Sequence, residues 1–136
     1  MVANIDPIFG KTIQNSWQTM TTADTSLTAP STAGALVATA GADGAMVFRL
    51  FAKPLGTNIQ TVIRVFVNNG STVATAANNS LLREWTIPAS TAAANSALLD
   101  YEIPLNLKLK ATYRIYVSVG TTIAAGLAVT AEWADY

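Results

Sequence analysis

The stretch from Ile59 to Pro88 constrains the fold most. It holds two strand-like runs, Ile59 to Val67 and Leu81 to Ile87, joined by Asn68-Asn69-Gly70 and a polar, Ala-rich connection. Asn-Gly between alternating runs is the strongest short-range hairpin signal, because both residues tolerate the positive φ that a tight turn needs. The first run is apolar on both parities: Ile59, Ile63, Val65 and Val67 on one, Val62 and Phe66 on the other. Such a run suits a strand covered on both faces. The second sets Leu81, Arg83, Trp85 and Ile87 against Leu82, Glu84 and Thr86. Arg64, Arg83 and Glu84 are expected to form cross-strand ion pairs.

The same grammar runs through the rest of the 136 residues. Residues 11–22 lean towards strand, with Ile13 and Trp17 on one parity and Met20 on the other. Residues 23–33 have a loop composition. Residues 35–40 read as a short strand, closed by the turn Gly41-Ala42-Asp43-Gly44. Ala45 to Ala52 is apolar on both parities apart from Arg49, and is expected to be a strand covered on both faces. Pro54 should stop it, since Pro cannot donate to a central ladder. Leu99, Tyr101, Ile103 and Leu105 alternate with Asp100 and Glu102 and are expected to face inward, and Pro104 marks an end or an edge. Lys108 and Lys110 continue the alternation as edge-blunting charges. Tyr113 to Val119 and Leu127 to Trp133 complete the set. No segment sustains a 3.6-residue period with helix caps, and no internal repeat appears. The expectation is an all-β chain, a single-domain antiparallel β-sandwich of about eight strands, jelly-roll-like in its count. Residues 1–10 are expected to form an N-terminal arm and residues 11–136 the sandwich.

Composition limits the chemistry. The chain has no Cys and no His. That removes thiolate chemistry, disulfides, and the commonest general base and metal ligand. Lys11, Lys53, Lys108 and Lys110 sit in no nucleophile motif. Glu84, Asp100 and Glu102 could converge as a carboxylate pair if their strands met. Their plainer role is to pair with Arg64, Arg83 and Arg114 across strands. Asp24 and Asp43 are isolated from other acids, so no calcium loop is expected. An enzyme, a cofactor and a metal site are therefore not expected. Formal net charge is zero, which offers no footprint for nucleic acid. No apolar window is long enough for a membrane helix. The N-terminus lacks a basic n-region ahead of an apolar core, so synthesis in the cytoplasm without a cleaved signal is expected.

Charged residues make up only 12% of the chain, against about 25% in a typical soluble domain. Interface cores are depleted in charge. A surface of Thr, Ser, Asn and Ala with few charges therefore suits a subunit of an assembly. Candidate interface residues are Ile5, Ile8 and Phe9 in the arm, Trp17, and the basic pair Lys108 and Lys110. Trp17, Trp85 and Trp133 could stack on sugars, but a buried or subunit-interface role suits their strand patterns better, given the area a Trp covers.

Three segments carry a family resemblance. They are Arg49-Leu50-Phe51-Ala52-Lys53-Pro54-Leu55-Gly56-Thr57, Val62-Ile63-Arg64-Val65-Phe66-Val67-Asn68-Asn69-Gly70, and Leu81-Leu82-Arg83-Glu84-Trp85-Thr86-Ile87-Pro88-Ala89. With the later Tyr113-Arg114-Ile115-Tyr116-Val117-Ser118 and the closing Ala131-Glu132-Trp133-Ala134-Asp135-Tyr136, their order resembles small tailed-phage virion proteins. The opening residues 4–14 resemble the starts of those proteins. The resemblance implies a capsid decoration or cement protein on the outer capsid surface of the virion. It implies a homo-oligomer, often a trimer, that bridges major capsid proteins. It transfers no catalytic residue. The neighbouring expectation is a head or tail fibre subunit, or a module that binds a carbohydrate or a receptor.

Overall fold

The computed structural model describes residues 9–30 and 34–136. Eight strands follow in order: β1 Thr12–Met20, β2 Ala35–Thr39, β3 Ala45–Pro54, β4 Thr61–Asn68, β5 Asn79–Ile87, β6 Tyr101–Leu109, β7 Arg114–Val119 and β8 Leu127–Asp135. A 3₁₀ turn, Ala76–Asn78, precedes β5. The strands form two four-stranded antiparallel sheets, β1-β8-β3-β6 and β2-β7-β4-β5. Pairing is nested: β4 with β5, β3 with β6, β2 with β7, β1 with β8. That is one long hairpin rolled up until β3 meets β8 and β4 meets β7. It is the double-sheet, jelly-roll way of managing strand edges.

The core lies between the sheets. Val47, Leu50, Ala52, Ile103, Val129 and Ala131 from one sheet meet Val37, Ile63, Val65, Ile87, Ile115 and Val117 from the other. Gly44 takes φ +93° in the turn before β3, a conformation that favours glycine. Gly70 does the same at +88° after β4, and Asn68 Oδ1 accepts from its amide. The hairpin around residues 59–88 is thus present as expected, with Arg64 directly opposite Glu84. Arg64 Nε donates to Glu84 Oε1 at 3.0 Å.

β4 is covered on both faces. Phe66, on the outer face of its sheet, is fully buried. The segment that follows β1 crosses that face. Asp24 N donates to Val119 O, Arg64 Nη1 to Asp24 O, and Asn79 Nδ2 to Thr28 O.

β3 departs from expectation. It is covered on its inner face only, and Phe48 and Phe51 are open to solvent. Its two apolar parities come from a bulge. Between Val47 and Arg49 the register with β8 advances from Trp133 to Glu132, so Phe48 is an extra residue. Inward positions are Ala45 and Val47 before the bulge and Leu50, Ala52 and Pro54 after it. A bulge switches the facing of a strand without interrupting it. Pro54 does not break the strand either, because it forms its last residue. β6 is an edge strand, which is how it tolerates Pro104. Leu99 lies ahead of β6 and is exposed, not inward.

Candidate functional site

Phe9, Ile13, Trp17, Phe48 and Phe51, all exposed, lie on or beside the outer face of the β1-β8-β3-β6 sheet, while Leu27, Leu36, Leu55, Ile59, Leu82 and Leu99 are exposed elsewhere. Register organises that face into three rows across the four strands. The first row is Ile13, Ala134, Met46 and Lys108. The second is Asn15, Glu132, Arg49 and Pro104. The third is Trp17, Thr130, Phe51 and Glu102. Ile13 is 74% exposed, Trp17 69% and Phe9, just ahead of β1, 71%. Phe48 joins the face because the bulge turns it outward beside Arg49.

The first row forms a groove of about 540 Å³ between Phe9, Ile13, Met46, Phe48, Lys108 and Tyr136. Its lining is mostly apolar, and Lys108 and Glu132 are its charged residues. A contiguous apolar area of this sort marks an interaction site on a soluble protein.

The second row carries the charge. Arg49 Nε donates to Glu132 Oε2 at 2.8 Å and Nη1 to Glu102 Oε1 at 3.0 Å. The guanidinium carbon also lies 5.0 Å from the Phe51 ring centroid, within cation–π range. The hydrogen bonds to Glu132 and then Glu102 raise the guanidinium above its ordinary pKa. One cation held by two carboxylates and a ring has little freedom to seek another anion. Its two ion pairs link β3 to β8 and β6 beside Phe51.

The candidate interface residues divide. Phe9 and Lys108 line the groove, and Trp17 lies on the same face two rows away. Lys110 is exposed just beyond the end of β6. Ile5 and Ile8 lie outside the described residues, as does most of the expected arm. Of the buried and interface alternatives for Trp17, its side chain takes the outward one, while Met20 is the buried end of β1. Trp133 is in the core and Trp85 is half-buried.

The carboxylates do not converge. Glu84 belongs to β5 in one sheet and Glu102 to β6 in the other. Glu102 pairs with Arg49 and not with Arg64, Arg83 or Arg114. Asp100 lies 4.0 Å from Lys53. Among the described residues no three His, Cys, Asp or Glu side chains are grouped to hold a metal ion.

Sequence reasoning missed Ile13, Met46, Phe48, Arg49 and Phe51 as surface residues. The available signal was Arg49 itself. A charge inside an otherwise apolar strand implies that at least one face meets water at that point.

No family model matches the chain. No curated protein matches it. Among solved structures, it is similar to a chain of the cyanophage Pam1 capsid asymmetric unit. The two are 16% identical with a TM-score of 0.43, over 100% of this chain and 94% of the other. So loose a likeness assigns neither a relative nor a role.

Proposed function

We propose that the protein is a structural component of a phage virion, a capsid decoration or cement protein that associates with itself as a trimer on the outer capsid surface and bridges neighbouring major capsid proteins. The observation that carries this reading is the outer face of the β1-β8-β3-β6 sheet. Phe9, Ile13, Trp17, Phe48 and Phe51 all reach solvent there, in a chain with few charges. A free-standing domain gains nothing from such a face, whereas a subunit buries it. The virion assignment rests on the sequence resemblance described above.

Mechanically, the sandwich offers a stiff plate and the apolar face offers grip. Association would bury the groove and the exposed rings. The Arg49 cluster would hold the rings at fixed positions, so that little ordering entropy is lost on docking. Nothing in this reading requires a catalytic group, a metal or nucleic acid, and the protein acts by binding alone.

The test is co-sedimentation with phage shells that lack this protein, together with the mass of the free protein by light scattering. The reading predicts saturable binding and a mass of three chains or a multiple of three. A strict monomer that ignores the shells overturns it.

Trp17 favours one second reading, a fibre subunit or carbohydrate- or receptor-binding module. It is an exposed indole beside Asn15 and Thr19, whose polar side chains could serve sugar hydroxyls. Binding on a glycan array that is lost on Trp17→Ala supports it; an array without hits removes it.

A further inference from the structure

The four edge strands of the sandwich are unequally protected. β6 carries Pro104, the positive-φ Asn106 and Lys108. β5 carries Arg83, Glu84 and a register shift between its partners Val65 and Phe66. β2 has five residues and an irregularity between Leu36 and Ala38. These are the usual devices against edge-to-edge pairing. β1 has none of them. Its nine residues include no charge, no Pro and no Gly, and its register with β8 is unbroken.

Pairing with β8 decides which backbone groups of β1 are left over. At both ends of β8 the even-numbered residues bond towards β3: Tyr136 N to Gly44 O, and Leu55 N to Gly126 O. The odd-numbered residues of β8 therefore face β1, and their partners there are Thr12, Gln14, Ser16, Gln18 and Met20. The N–H and C=O groups of Ile13, Asn15, Trp17 and Thr19 point away from the sheet.

We infer that β1 pairs antiparallel with β1 of a second copy of this chain, about a two-fold axis through Asn15. That register sets Ile13 opposite Trp17 of the second copy, Asn15 opposite Asn15, and Trp17 opposite Ile13. Every backbone group it needs is one of those left over, giving about six N–H···O bonds. The pairs lie on the outer face, where an aromatic residue opposite a β-branched one is favourable. Moving the axis to Ser16 sets Asn15 opposite Trp17 and forfeits the match. No like charges meet, because the strand has none. The two Trp side chains contribute on the order of 300 Å² towards the roughly 1,000 Å² that a specific interface needs. Leu36, exposed on the neighbouring β2 edge across a cleft from Ser16 and Gln18, extends the apolar strip. The result is one continuous eight-stranded sheet.

This contact goes beyond the virion reading and does not depend on shell binding. Combined with a three-fold contact elsewhere it makes a six-copy particle. The experiment uses the whole chain, which has no Cys of its own. Asn15→Cys introduces a single thiol on the axis, with opposed Cα atoms about 5.5 Å apart, inside disulfide range. Under mild oxidation it should run as a covalent dimer, while Thr19→Cys should not. Asn15→Pro removes only an outward N–H and spares the β8 ladder; it should halve the mass in solution with folding unchanged by circular dichroism. The parent should scatter as an even multiple of 14.3 kDa. A parent that is strictly monomeric or trimeric, or an Asn15→Cys variant that stays unlinked, overturns the inference.

Discussion

Arg64 is one of the residues that hold the β1–β2 connection to the second sheet, and its replacement by Ala is predictable in size. Its side chain is 15% exposed, and it donates to Glu84 Oε1 at 3.0 Å and to Asp24 O at 3.2 Å. Glu84 is 48% exposed, so water screens that pair, which contributes about 0.5–1 kcal/mol. The bond from a charged guanidinium to the Asp24 carbonyl contributes roughly 1.5–3 kcal/mol. Arg64→Ala should therefore cost about 2–3 kcal/mol, or about 10 °C in Tm at roughly 4 °C per kcal/mol. Glu84→Gln keeps the carbonyl bond and should cost under about 1 kcal/mol. Urea titration gives the global values. Amide exchange gives the local one: Asp24 N, bonded to Val119 O, should exchange roughly tenfold faster in Arg64→Ala. Equal costs for the two variants, or an unchanged Asp24 amide, would refute the idea that Arg64 tethers this segment.

Three further outcomes follow from the same coordinates. Ser118 Oγ is fully buried without a hydrogen-bond partner, so Ser118→Ala should raise stability by about 1 kcal/mol, read as a higher urea midpoint at unchanged slope. Leu50 and Phe51 are neighbours on opposite faces of β3; Leu50→Ala should cost about 3 kcal/mol, and Phe51→Ala, losing only a partly covered ring and the Arg49 contact, about half that. Gly44→Ala should cost about 2 kcal/mol or more in thermal melts, because φ is +93° and an added Cβ would lie 2.6 Å from Leu109 O.

How far the sequence foretells the structure varies with how local the deciding physics is. The β4–β5 hairpin was readable because its signals are local: a turn with positive φ at Gly70, alternating runs, and opposite charges that land across from one another as Arg64 and Glu84. Pro104 on an edge strand was readable for the same reason, since Pro lacks the donor a central position needs. β3 was not. A single extra residue at Phe48 flips the facing of every later side chain, and nothing in Ala45 to Ala52 distinguishes a switch of parity from burial on both faces. β1 reverses the usual rule. Its inner parity carries Gln14, Ser16 and Gln18, the last two lining a cleft, and its outer residues include Ile13 and Trp17. Pattern alone turns an apolar parity inward, and in β1 that rule fails. The candidate surface was accordingly half legible, with Phe9, Trp17 and Lys108 indicated by sequence and the β3 contribution hidden by the bulge.

The central claim is that the outer face of the β1-β8-β3-β6 sheet is buried in an assembly on a phage shell. Side-chain footprinting of the protein free and bound to shells tests it most directly. Phe48, Phe51 and Met46 should lose reactivity on binding, while Leu55, Ile59 and Leu99, exposed in loops elsewhere on the molecule, should keep theirs. Unchanged reactivity at Phe48 and Phe51 in the bound state, with protection at those loops instead, would contradict the account.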